Sequence, residues 1–405
     1  MPGDDFDFGL DRSYAIADPR VASRVQHFPE SVIREFTRLA QVHDAINLAQ
    51  GYPDFDPPEE LKVAAKAAID GGYNQYSITW GARELREAVV AKVKRSYGLG
   101  VDPDENVVVT CGATEAMMAT MLALINPGDE VVIFEPFYEN YGPDALVSGA
   151  RPRFVPMEPP GFTIDAEALK AAFGPRTKAC ILNTPNNPTG KVFGQEEMKL
   201  IADLATERDA IVVTDEIYEH ILYDGAQHIP MATLGDMFER TVTISGLSKT
   251  YSVTGWRLGY TVAPKTLTDA LRRTHDFLTV GAPHPLQMAA VAALNVPEAY
   301  YQDLASMYAR KRRILYNTLQ EVGFKPIMPR GAYYIMADIS GLTREDDVAF
   351  ANRLVQRERV AVVPGSSFYS RPEMGAHIVR FTFSKRDETL WEAARRLKGL
   401  GVVSP

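Results

Sequence analysis

Short apolar runs rich in β-branched residues alternate with helical periodicity through the middle of the chain. The strand candidates are "NVVVT" (106–110), "EVVIFE" (130–135), "ACILN" (179–183), "AIVVT" (210–214) and "TVTIS" (241–245). Most are near-continuous apolar runs, the pattern of strands buried on both faces. Between them, "ATEAMMATMLALI" and "GQEEMKLIADLATER" carry helical spacing. Strands and helices in turn predict an α/β fold, with a mostly parallel sheet covered by helices on both sides. Beyond about residue 295 a long charged helix pattern, "ASMYARKRRILYNTLQEV", precedes the short alternating runs "AYYIMADI", "VAVVP" and "HIVRFTF". That change of texture predicts a smaller α+β domain. The expected organisation is an N-terminal arm and helix over 1–45 packing with the small domain, a large domain over 46–295, and the small domain over 296–405.

Composition narrows the function classes. A chain of 405 residues, 46% of them hydrophobic, can bury a large core. Its formal net charge of -9 argues against a nucleic-acid partner, which rewards a basic surface. No apolar run reaches membrane-spanning length, and the acidic opening "MPGDDFDFGLDRSYA" lacks the apolar core of a signal peptide. A cytoplasmic enzyme is expected. Two cysteines, Cys111 and Cys180, cannot build a disulfide framework, and seven dispersed histidines show no metal-ligand spacing, so no metal is expected.

In an open α/β sheet, ligands gather beyond the carboxyl ends of the strands. After the first run comes "CGATEA". Gly112 permits a tight turn, and Ala113 and Thr114 open a helix whose free N–H groups favour an anion, typically phosphate. The plainer alternative makes Thr114 a simple helix cap. After the third run comes "TPNNPTGK", a turn with one more asparagine than a turn needs. After the fourth comes "DEIYEHILY". Asp215 could merely cap a following helix, but Tyr218 three residues on faces the same sheet end. A carboxylate and a phenol there suit a heteroaromatic ring with a basic nitrogen and a hydroxyl. After the fifth comes "SGLSKTYSVTGWRLGY", with Lys249 among small and hydroxyl residues and Arg257 eight positions later. Each feature has an ordinary structural explanation. Together they offer a phosphate cradle, an amide, an acid with a phenol, and a lysine. Pyridoxal phosphate uses all of these.

Those residues resemble the class I/II aminotransferases, pyridoxal-phosphate enzymes of fold type I. "GLSKTYSVTGWRLG" matches the family's lysine signature, and "INLAQGYPDF", "NQYSITWGARELREAV", "EPFYENY", "TPNNPTG", "DEIYEHI" and "VRFTFS" follow in the family's order. The resemblance implies that Lys249 holds the cofactor aldehyde as an imine and then shuttles the substrate proton. It implies that Asp215 pairs with the pyridine nitrogen, that Tyr218 and Asn187 bond the ring hydroxyl, and that Tyr138 stacks on the ring. Gly112, Ala113, Thr114 and Arg257 would hold the phosphate, with Tyr76 reaching it from the other subunit of a homodimer. Arg380 would bind the substrate α-carboxylate, assisted by Asn187 and the Gly51 backbone. One position departs from the common pattern: Gly246 stands where many members have a phosphate-binding serine. Ser245 or Ser248 could substitute, and Ser248 is preferred.

The resemblance is nearest the aromatic, kynurenine and methionine aminotransferases. It implies ping-pong exchange of an amino group between an α-amino acid and a 2-oxo acid such as 2-oxoglutarate. Dicarboxylate-binding members often draw a basic residue from the partner chain, and "FLTVGAPHPLQ" offers only His284. The N-terminal helix and "QYSITWG", with Tyr76 and Trp80, predict an apolar pocket wall and hence a neutral, aromatic or sulfur-containing donor. A carbon–sulfur β-lyase acting on cysteine conjugates is the alternative chemistry. A non-catalytic regulatory module is the other rival, but it would need a DNA-binding domain that the short acidic N-terminus does not offer.

Overall fold

The computed structural model describes residues 18, 20–26 and 30–400. Its centre is an eight-stranded sheet in the order Val107–Thr110, Gly259–Val262, Thr241–Gly246, Ile211–Asp215, Thr177–Asn183, Glu130–Glu135, Arg151–Glu158, Thr163–Ile164. The five strands from Thr241–Gly246 to Arg151–Glu158 pair in parallel. Gly259–Val262 is antiparallel to both its neighbours, and Thr163–Ile164 is antiparallel to Arg151–Glu158. Val107–Thr110 therefore points the same way as the parallel set. All five expected strands form; 130–135 matches at both ends, and the others shift by one or two residues.

Continuous apolar runs became strands because both faces of the sheet are covered. Val131, Ile133, Ile181, Val213 and Ile244 pack on one side with Met117 and Met121 of the helix Ala113–Leu124. Val132, Phe134, Cys180, Leu182 and Val212 pack on the other with Met198, Ile201 and Leu204 of the helix Gln195–Glu207. Cys180 is thus a buried apolar side chain, and burial pushes its thiol well above the ordinary range.

A second sheet, antiparallel throughout, has the order Lys325–Pro326, Tyr334–Asp338, Ile378–Thr382, Val363–Pro364. It follows a helix, Glu298–Val322, that is longer than its sequence pattern suggested. The expected run at 360–364 divides: Val360–Ala361 leaves this sheet and pairs in parallel with Ile46–Asn47. The helix Val32–Val42 buries Ile33, Phe36 and Ala40 in the same core as Val360 and Val363. The arm preceding it lies largely outside the described residues. Among those described, no helix is long and apolar enough to cross a membrane.

Candidate active site

The carboxyl ends of the parallel strands open on a cavity of about 620 Å³, a size typical of small-molecule sites. Gly51, Ala113, Thr114, Tyr138, Asn187, Asp215, Tyr218, Ser248, Lys249, Arg257 and Arg380 all line it. Ten of these eleven lie beyond residue 110, on segments far apart in the chain, and the sheet brings them together.

Lys249 stands three residues past the strand Thr241–Gly246. Its Nζ donates to the Gly51 carbonyl at 3.1 Å. Burial pushes its ammonium down to about 8; the charges of Arg257 and Arg380 act in the same direction, and Asp215 opposes them. Asp215 ends the neighbouring strand and is buried. Burial raises its carboxyl, while a hydrogen bond from Tyr141 Oη to Oδ2 at 2.7 Å acts the other way. Tyr141 is a residue that sequence reasoning missed. It lies in the quoted "EPFYENY", three positions after Tyr138, a spacing that puts two side chains on one side of a helical turn.

The stretch after Asp215 is a series of turns rather than the helix that its capping would require. Its residues go to two buried destinations. Asp215 and Tyr218 face the cavity. Glu219 instead pairs with Lys92 at 2.5 Å and accepts from Ser245 Oγ at 2.7 Å, while Glu216 meets His228 Nε2 at 2.7 Å. Ligand-type atoms of Glu216, Glu219 and His228 lie within 4.8 Å of one another, a grouping the dispersed histidines did not foretell. The Lys92 ammonium already supplies the cation there.

At "CGATEA", Gly112 has φ 86° and is itself the residue before the helix, so Thr114 is not its cap. That helix start has no side-chain cap, and Ala113 and Thr114 line the cavity. A Cβ on Gly112 would come within 2.5 Å of Arg257 Nη2, so only glycine lets the guanidinium approach the free N–H groups. The two serine candidates separate. Ser245 is occupied by Glu219, whereas Ser248 lines the cavity. A Cβ at Gly246 would lie 2.7 Å from the Leu258 carbonyl, which is a steric reason for glycine there.

The two asparagines also divide. Asn186 Oδ1 accepts from Thr189 and builds the turn, whereas Asn187 Oδ1 accepts from Arg380 Nη1 at 2.7 Å. Arg380 is fully buried on Ile378–Thr382. Its Nη2 donates to the Ala49 carbonyl at 2.6 Å, and its plane lies over Tyr334 at 4.3 Å and Phe368 at 4.8 Å. Nε has no partner, and no carboxylate pairs with this guanidinium among the described residues. Tyr334 Oη sits 2.9 Å from Tyr218 Oη, another contact that the sequence did not announce.

Within one chain, Trp80 and Tyr76 do not form the expected apolar wall; Tyr52, Tyr138 and Tyr334 line the cavity instead. Trp80 packs under Arg272 at 4.9 Å and among core residues away from the cavity. Tyr76 is 84% exposed and outside its own chain's cavity. His284 is also outside it, with Nδ1 3.0 Å from the Gln75 carbonyl. The N-terminal helix does reach the cavity, but with the largely polar set Ile33, Arg34, Thr37 and Gln41.

These groups fit pyridoxal phosphate. An uncapped helix start beside Arg257 suits a dianion, Asp215 and Tyr218 suit the ring nitrogen and hydroxyl, and Lys249 suits the aldehyde. The family model for aminotransferases of class I and II matches residues 43–397. The probable N-succinyldiaminopimelate aminotransferase of Mycobacterium tuberculosis is 39% identical, over 93% of this chain and 98% of its own. Human kynurenine–oxoglutarate transaminase 1 is 36% identical, over 90% of this chain and 94% of its own. The crystal structure of an Escherichia coli protein with methionine aminotransferase function superposes with a TM-score of 0.90 at 36% identity, covering 94% of this chain and 99% of that one. The chain belongs to the class I and II aminotransferases, pyridoxal-phosphate-dependent enzymes of fold type I.

Proposed function

We propose that the protein exchanges an amino group between a neutral, aromatic or sulfur-containing α-amino acid and a 2-oxo acid such as 2-oxoglutarate, in two ping-pong half-reactions. The observation that carries this reading is a half-buried lysine and a fully buried arginine in one cavity. Lys249 is held near neutrality, and Arg380 lacks an acid partner. The first suits a proton-transfer base and the second awaits a carboxylate.

In this reading Ala113 and Thr114 N–H groups, Ser248 and Arg257 hold the cofactor phosphate. Asp215, oriented by Tyr141, holds the ring nitrogen. Tyr218 and the Asn187 amide hold the ring hydroxyl, and Tyr138 covers the ring face. Bound there, pyridoxal phosphate supplies an aldehyde and an electron-withdrawing ring. Arg380 anchors the α-carboxylate and so turns the α-carbon toward Lys249. Lys249 Nζ, neutral, takes the α-proton, and the Gly51 carbonyl gives that nitrogen a fixed acceptor. A panel of amino donors tests the proposal, each mixed with holoenzyme without an oxo acid. The expected result is stoichiometric conversion of the amino acid to its 2-oxo acid, then turnover when 2-oxoglutarate is added. Steady pyruvate and ammonia from a cysteine conjugate would replace the proposal with β-elimination.

The protonation of Lys249 gives a second test. Only the neutral amine attacks an aldehyde, and a nitrogen held at about 8 is mostly protonated at lower pH. Loading of cofactor-free protein should therefore accelerate about tenfold per pH unit below that value and level off above it. A rate still climbing steeply two units higher would mean an ordinary, solvated lysine.

We also infer that the working unit is a homodimer. Tyr76, Ile78, Phe277 and Val280 are 84%, 51%, 92% and 46% exposed. They share one face: His275 Nε2 is 2.8 Å from the Thr79 carbonyl, and the Tyr73 and His284 rings meet edge-on at 5.2 Å. Exposed apolar groups gathered in this way suit a protein interface. It would carry Tyr76 toward the partner's phosphate site. Sedimentation should report a dimer, and a fully active monomer would sink this idea. The division into a large domain over 46–295 and a small one over 296–405 is likewise proposed, supported by the separate sheets.

A further inference from the structure

The cavity wall carries four basic side chains, Arg34, Lys249, Arg257 and Arg380, against three acidic ones, Glu139, Asp144 and Asp215. Burial raises all three carboxyls, Asp144 to about 8. In the transaminase reading, three of the cations have a counter-group. Arg257 faces the phosphate, Lys249 the aldehyde and Arg380 the α-carboxylate. Arg34 is left over.

Arg34 stands in the first turn of the helix Val32–Val42. Thr37 and Gln41 follow at spacings that put all three on one face, and all three line the cavity. Phe36 and Ala40 pack into the core instead, and Ile33 touches both the core and the cavity. A polar helix face is usually just solvated. This one overhangs a cavity in which Arg380 awaits a carboxylate. Only the backbone N–H of Arg34 is engaged, by Ser31; its guanidinium has no hydrogen bond or ion pair among the described residues. The neighbouring acid, Glu139, is taken up elsewhere. It accepts from Ser31 Oγ, and from the Ile33 N–H at 3.5 Å, at the start of the same helix. The charges of both Arg380 and Arg34 act on Glu139, so both arginines lie within electrostatic reach of that one residue.

We propose that Arg34 receives the distal carboxylate of a dicarboxylic substrate, which makes a dicarboxylic 2-oxo acid the amino acceptor. The inference rests on the transaminase reading for the place of the α-carboxylate. A substrate anchored at Arg380 extends its far end into the cavity that Arg34 also lines. There a guanidinium offers two parallel donors to a carboxylate. Because Arg34 is exposed before the ligand arrives, water and salt screen part of its attraction. Its effect is on selection rather than on chemistry. This cation comes from the chain's own N-terminal helix, not from the segment around His284.

Calorimetric titration of holoenzyme with glutarate and with pentanoate tests the proposal. The two have the same chain length, differ by one carboxylate, and lack the amino group needed to react. Wild type should bind glutarate about tenfold more tightly, an affinity gap equal to about 1.4 kcal/mol. Arg34→Gln should abolish that preference and leave pentanoate affinity unchanged. A preference that survives in Arg34→Gln, or its absence from wild type, would overturn the assignment. Failure of the transaminase reading would appear separately, as holoenzyme that takes no amino group from any amino acid, whatever the glutarate titration gives.

Discussion

The Lys249→Ala enzyme should lose turnover by about three to four orders of magnitude while still folding and holding its cofactor loosely. General-base transfer by a positioned side chain contributes roughly 10² to 10⁴ in rate, and the covalent tether is lost as well. Folding should survive because Lys249 Nζ makes one hydrogen bond, to the Gly51 carbonyl, and a buried ammonium is costly to keep. The phosphate cradle proposed at Gly112, Ala113, Thr114 and Arg257 does not involve Lys249, so residual cofactor affinity is expected. Borohydride reduction of wild-type holoenzyme, followed by peptide mapping, should place the label on Lys249. Lys265 is the instructive control. It is solvent-exposed, with its ammonium 3.5 Å from Asp269 and 3.7 Å from Glu105, and should remain unlabelled. Label on Lys265, or near-normal turnover in Lys249→Ala, would remove Lys249 from the chemistry.

The parts of the site that were legible in the sequence are those that follow a strand directly. Gly112, Asp215 and Lys249 could be found because a buried strand is a continuous apolar run, and what comes after it must lie at the sheet edge. Gly259–Val262 was not legible. It is four residues long, contains a glycine, and runs against its neighbours. Partners distant in sequence leave no local pattern either. Lys92 and Glu219 are 127 residues apart, and their pairing exists only because the turns after Asp215 send Glu216 and Glu219 away from the cavity that Asp215, Ile217 and Tyr218 line. That split destination also explains why "DEIYEHILY" is not a helix: burying both sets of polar groups with partners outweighs local propensity. Trp80 misled for the opposite reason. An aromatic residue within a family motif looked like pocket lining, yet its ring was needed in the core. Arg34 is exposed on an amphipathic helix, and nothing local distinguishes it from Arg38, which pairs with Glu30.

The Arg380→Lys enzyme should lose about 30-fold or more in kcat/KM for amino acids and keep a near-normal resting cofactor spectrum. Arg380 has five N–H donors, and described residues engage two of them, through the Asn187 amide oxygen and the Ala49 carbonyl. The Nε–H is buried without a partner. Three donors therefore remain for a ligand, and a carboxylate accepts two in parallel. The guanidinium is also fixed between the Tyr334 and Phe368 rings, so little orienting entropy is lost when the ligand arrives. Lysine keeps the charge but cannot span Asn187, Ala49 and a carboxylate at once. Leaving one member of a buried charge pair without its partner typically costs about 2–5 kcal/mol, and each 1.4 kcal/mol is about tenfold. Arg380 lies on the C-terminal sheet while Lys249 lies just past a strand of the central one, so a carboxylate held at Arg380 would sit between the two sheets, where the walls limit access of water to the α-carbon. The resting spectrum should hold because no group assigned to the aldehyde or ring nitrogen depends on Arg380. Substrate kinetics and the resting spectrum, measured together on one preparation, decide the matter. Unchanged kinetics would make Arg380 a structural residue, and a lost spectrum would mean that it shapes the cofactor site itself.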